Sequence, residues 1–138
     1  MPMTIELSEL SQRILVLLDE LEYDNVVAIF NTIVVRPSPG DIPFESYKAA
    51  LIELLGKNMA RLSFTTDLPY TEQVVSGDRA HTLVQSIETE FRFDTSVARW
   101  TFADDDPGSP RLSLHLSPEG FEAARPILDA RGDRWWRA

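Results

Sequence analysis

Cysteine is absent from all 138 residues, which excludes a disulfide framework and any thiolate metal site. Long apolar runs are absent too. No stretch approaches the roughly 20 consecutive apolar residues needed to span a bilayer, so no membrane role is expected. The opening MPMTIELSEL has neither a basic n-region nor an apolar h-region, so it does not read as a secretory signal. A cytoplasmic location is the expectation. The phosphate-cradling patterns GxGxxG and GxxxxGK[ST], the nucleophile elbow GxSxG and the metal pattern HExxH are all missing. Only two histidines occur, His81 and His115, and they are far apart. No catalytic residue, cofactor or metal site is therefore expected, and an enzyme is disfavoured.

Positive charge is scarce. Thirteen Lys and Arg stand against 22 Asp and Glu, for a net charge of -9. Both halves are acidic: residues 1–70 hold ten acids and five bases, residues 71–138 twelve and eight. Such a surface repels nucleic acid and anionic lipid at long range, although a local basic patch could still form.

Apolar periodicity supplies the elements. Leu7, Leu10, Ile14, Leu17, Leu18 and Leu21 recur at spacings of three and four, which predicts a helix over 8–22 with Ser8 as its cap. Asp24 or Asn25 could cap a second helix through Val26, Val27, Ile29, Phe30, Ile33 and Val34. Its β-branched content leaves a strand open as the alternative. Arg36-Pro-Ser-Pro-Gly-Asp41 predicts a loop. A third helix is expected from Asp41, with Pro43 in its first turn and Gly56 as its stop. Met59–Thr66 alternates as a strand, and Asp67–Gly77 reads as a connector. Ala80, Leu83, Val84, Ile87 and Phe91 predict a helix over 79–91. Val97–Phe102 and Arg111–Leu116 read as the two strands of a β-hairpin with a long tip at 103–110. Ser117, Pro118 and Glu119 then open a last helix, in which Pro126 predicts a kink. Residues 131–138 form a C-terminal tail. No repeat or linker divides the chain, so one domain over 1–138 is expected.

This element order, with the segment RLSLHLSPEGFEAA of residues 111–124, resembles a winged helix-turn-helix. In many such regulators the strand leaving the wing ends in Leu-Ser/Thr-x-x-Gly and a helix follows; here that is Leu116-Ser117-Pro118-Glu119-Gly120. The resemblance covers mainly residues 97–130. It implies an α+β, winged-helix-like fold with about four helices, a small antiparallel sheet and a long β-hairpin wing. Either helix 44–56 or helix 79–91 could occupy the recognition position.

A winged helix that reads DNA lays a helix in the major groove and touches phosphates with its wing. The residues available for this are Lys48, Lys57, Arg79 and Arg111. They are few for a surface that needs Lys and Arg, since phosphate neutralisation supplies most of the affinity of such proteins. The wing would also carry Asp104, Asp105 and Asp106, each repelling a nearby phosphate by about 1 kcal/mol at 4 Å in water. Nucleic acid is thus a disfavoured partner, and a DNA-binding transcription regulator is the alternative expectation. The tail is locally basic and holds Arg131, Arg134, Trp135, Trp136 and Arg137. Trp and Arg are enriched where proteins meet. These five are the candidate protein contacts, unless the tryptophans cover the chain's own core. The leading expectation is a non-enzymatic cytoplasmic module that acts through protein–protein contacts, with a second copy of itself as one such partner.

Overall fold

The computed structural model describes residues 7–34 and 43–137. The expected loop at 36–41 and the start of a helix at Asp41 lie outside the described residues. The chain is α+β, with five α-helices among the described residues rather than about four. They are α1 (Glu9–Leu21), α2 (Val26–Ile33), α3 (Phe44–Gly56), α4 (Gly77–Gln85) and α5 (Pro118–Arg131). The strands are β1 (Tyr23–Asn25), β2 (Ala60–Asp67), β3 (Tyr70–Val75), β4 (Phe91–Asp94), β5 (Arg99–Phe102) and β6 (Arg111–Leu116). A four-stranded antiparallel sheet runs in the order β1-β6-β2-β3, and β4 and β5 form a separate two-stranded sheet.

Local chemistry explains most helix starts. Ser8 Oγ accepts from the backbone of Ser11 at 3.2 Å, Asn25 Oδ1 from Ala28 at 2.8 Å, and Ser117 Oγ from Gly120 at 3.0 Å. Each satisfies one orphan N–H of a first turn. The β-branched run after Asn25 is a helix because its cap starts one and tertiary burial rewards it. Val26, Val27, Ile29, Phe30 and Ile33 are all buried, and burying each side chain is worth about 1.5–3 kcal/mol. Ile14, Leu15, Leu17 and Leu18 of α1 meet them, with Tyr47, Leu51 and Leu54 of α3. Tyr47 donates its hydroxyl to the Val26 carbonyl at 2.7 Å, so this phenol costs the core no unpaired donor.

Leu62, Leu112 and Leu114 point from the sheet into that core. The small sheet is attached by aromatic packing: Phe91 lies 5.3 Å from Phe30, and Trp100 5.5 Å from Phe44, both edge-to-face. The Asn31 side chain also bonds both backbone groups of Trp100, at 2.8 and 3.1 Å.

Three expectations are corrected. The connector at 67–77 contains β3, paired with β2 in register from Leu62↔Val75 to Asp67↔Tyr70. Tyr70–Val75 is an edge strand exposed on both sides for most of its length, so it lacks the alternation that marks a half-buried strand. The helix over 79–91 ends at Gln85; a 3-10 turn covers Ile87–Glu90 and Phe91 opens β4. Ile87 and Phe91 keep a spacing of four, so periodicity carries straight across the break. The hairpin of 97–102 with 111–116 does not form, because β5 pairs with β4 while β6 lies between β1 and β2. Alternation identified both strands but says nothing about which edge each one joins. Pro126 lies within α5 without ending it.

Candidate functional site

The four cations considered for DNA contact do not form one strip. Lys48 is 7% exposed, and its Nζ lies 2.7 Å from Glu88 Oε2 and 3.5 Å from Glu45 Oε1. The hydrogen bond to Glu88 chiefly holds its ammonium above the ordinary lysine range. Lys57, just after α3, is exposed. Arg79 is exposed on α4 and reaches the Phe64 ring at 5.8 Å. Arg111 stacks 3.7 Å over Phe102 and donates to the carbonyl oxygens of Asp104 and Asp106. Arg111 opens β6, whereas the segment holding Lys57 packs beside its close, so roughly 17 Å of strand separates them. Two of the three aspartates cap their own turn: Asp104 Oδ1 accepts from Asp106 N, and Asp106 Oδ1 from Gly108 N. Among the described residues no three His, Asp or Glu converge to hold a metal ion.

The tail packs on its own chain. Trp136 is 8% exposed, donates to the Thr32 carbonyl at 2.9 Å and has the Arg13 guanidinium 5.6 Å from its ring. Trp135 donates to Glu9 Oε2 at 2.9 Å and meets Trp136 edge-to-face. Arg131 bonds Glu9 and Gln12, Arg134 bonds Glu20, and Arg137 is exposed. The tryptophans thus extend the core over α1 and α2, and the arginines neutralise acids of α1.

The sheet has a second face. Alternation along the register puts Arg61, Ser63, Thr65 and Asp67 of β2 on the side opposite Leu62, beside Arg111, Ser113 and His115 of β6. Tyr23 and Asn25 of β1 flank them on one side, with Tyr70, Glu72 and Val74 of β3 on the other. At its centre, His115 is 5% exposed and stacked on Tyr23 with centroids 4.8 Å apart. Its Nδ1 lies 3.4 Å from Arg61 Nη2, and its Nε2 is 3.2 Å from Glu72 Oε2 without the angle of a hydrogen bond. Arg61 clamps Glu72 with two bonds of 2.8 and 3.1 Å, which chiefly hold that carboxyl below the usual range. Burial pushes the imidazole below the ordinary histidine value despite the carboxylate beside it. Among the described residues Ser63 Oγ is buried without a hydrogen-bond partner, and no hydroxyl bonds the imidazole.

Two clefts cross this face. One of about 540 Å³ runs between Tyr23, Tyr70 and Phe121, with Asp19, Glu22 and Arg61 in its walls. The other, about 340 Å³, is lined by Leu21, Asp24, Thr65, Asp67 and Arg111. Among the described residues six large apolar side chains are exposed. Leu21, Tyr70, Val74 and Phe121 border this face, and Leu68 projects from the β2–β3 turn at its end. Exposed apolar groups gathered in this way make the face the candidate for a contact surface. Sequence reading missed it, although a signal existed. The central polar positions of that face, Ser63, Thr65, Ser113 and His115, are residues that neighbours can cover, where a fully solvated face would carry mostly long charged side chains. Set against known proteins, the chain matches no family model, no curated protein and no solved structure.

Proposed function

We propose that this chain is a non-enzymatic protein-contact module built on a winged-helix core, with the open sheet face as its contact surface. The order α1-β1-α2-α3-β2-β6, with β6 between β1 and β2, supports the core assignment. Residues 68–110 are then an insertion between the two wing strands, carrying β3, α4 and the β4–β5 sheet. On this reading α3 occupies the recognition position.

One observation carries the choice of protein over DNA. The insertion lies against α3: α4 packs on it, and Glu88 of the following 3-10 turn neutralises Lys48. α3 exposes Glu45, Ser46, Ala49 and Gly56, a face without a cation, and the one free lysine nearby, Lys57, lies just beyond its end, so it is poorly equipped to enter a groove. The winged-helix element order by itself favours the alternative, a DNA-binding transcription regulator using Lys57 and Arg79. Two measurements separate them. Affinity for random duplex DNA should be negligible at about 50 mM salt; affinity that is measurable there and falls steeply by about 200 mM would establish phosphate contact and the regulator. Cross-linked capture from a lysate of the source cells, together with sedimentation equilibrium, should give a complex that the double variant Tyr70→Asp, Phe121→Asp loses. Equal capture and equal mass for both proteins would refute the contact face.

A further inference from the structure

Among the described residues β3 is an edge strand with no second neighbour, and the one charge it carries, Glu72, is held by Arg61. Natural edges are blunted by lysine, proline, bulges or short length, because unpaired N–H and C=O groups recruit other chains. Tyr70-Thr-Glu-Gln-Val-Val75 has no lysine, proline or glycine and pairs with β2 through six residues without a break. The opposite edge is different: β1 has three residues and runs directly into α2.

The two sides of β3 differ in chemistry. On the outer face it presents Tyr70, Glu72 and Val74, next to the cleft bounded by Tyr23 and Phe121. Asp67 and Glu22 border this face, and neither has an ion-pair partner among the described residues. On the helix side, Val75 borders an apolar cleft of about 370 Å³ walled by Ile52, Leu55, Leu62 and Ala80. A strand laid along β3 alternates its side chains between the outer face and the helix side, meeting the first cleft near Tyr70 and the apolar cleft near Val74 and Val75. The aromatic rings of the outer face suit guanidinium groups, and Arg125 already stacks 4.2 Å over Phe121. Overall charge selects in the same direction, since a chain of net charge -9 attracts a cationic segment and repels its own copy.

We propose that β3 accepts an added strand from a partner protein, an extended segment that alternates basic residues over the outer face with apolar residues toward the Val75 cleft. This inference rests on the protein-contact reading and narrows it to one edge and one partner chemistry.

The test uses the full chain and three labelled octapeptides: alternating arginine and valine, alternating glutamate and valine, and the first with alternate backbone amides methylated. The arginine peptide should bind by fluorescence anisotropy and shift the amide resonances of residues 70–75. Methylation, which removes strand pairing, and the double variant Glu22→Lys, Asp67→Lys should each weaken it about tenfold. Equal binding of the glutamate or methylated peptide, shifts located elsewhere, or no shift at about 1 mM peptide would overturn the proposal. So would a concentration-dependent dimer that protects the same amides, which would make the occupant a second copy. If the peptide fails while Tyr70→Asp with Phe121→Asp still abolishes capture, only strand addition falls. If both fail, the contact-face reading falls too.

Discussion

Gly120 has no room for a side chain. A Cβ built there would overlap the carbonyl oxygen of Met59 and press on Leu116 Cδ1. Ser117, three residues earlier, caps α5 and donates its hydroxyl to the Asn58 carbonyl at 2.5 Å. The Ser-x-x-Gly pattern therefore joins the first turn of α5 to the entry of β2, with Ser117 supplying the hydrogen bonds and Gly120 the closeness. Because the obstructing atom is backbone, the neighbours cannot simply rotate away. Gly120→Ala should cost about 2–3 kcal/mol in urea unfolding, and Gly56→Ala, which meets nothing within 4 Å, should cost far less. Equal costs would show that helix propensity, and not contact, requires the glycine. The sequence motif was visible; the carbonyl it makes room for was not, since Met59 comes close only through the β2–β6 pairing.

At the scale of elements, packing decided what periodicity could not. The stripe of α1 is legible because its apolar residues recur at helical spacing, although packing buries Ile14 to Leu18 all round. β3 was illegible because both of its faces are largely wet, and β4 was hidden because its first residue continues a helical spacing. The tail behaves as an element too. Its 3-10 turn, Trp135–Arg137, sits on α1 and α2 through Trp136 and on Glu9 through Trp135. Trp136→Ala should lose about 3 kcal/mol of stability by denaturant titration, while Arg137→Ala should be neutral. A neutral Trp136→Ala would mean that the tail is free to serve an external partner. Adjacent tryptophans between arginines did signal packing, but composition alone could not say whose surface they pack on.

Across the whole molecule, acid should be the weak side of its stability. Glu72 and Glu88 are held below the ordinary carboxyl value by hydrogen bonds from Arg61 and Lys48. Burial pushes Glu9 and Glu53 upward, yet bonds from Arg131, Trp135 and Arg13 to the first, and from Ser11 and Ser8 to the second, outweigh it. Each depressed carboxyl contributes stability that is present above its unfolded value of 4.5 and lost as pH falls through its folded one. His115, depressed by burial, contributes above its unfolded value of 6.5 and loses that contribution first on acidification. Asp24 and Glu90 are raised by burial and work the other way, but they are fewer. Calorimetric Tm should therefore begin to fall below about pH 6.5 and fall faster below about pH 4.5, by about 5 °C or more in all. A Tm constant down to pH 4 would mean that these bonds contribute nothing net.

Composition and periodicity alone determined the class of molecule: an acidic, cysteine-free α+β chain with amphipathic helices, a capped final helix and alternating central strands. Those properties are local, since each depends on residues within about a turn or a few strand positions of one another. The strand order, the packing of α4 against α3, the tail folded over α1 and the aromatic-rimmed outer face were decided only in three dimensions. Strand pairing and burial join residues distant in the chain, and alternation reads the same whichever neighbour a strand finally takes.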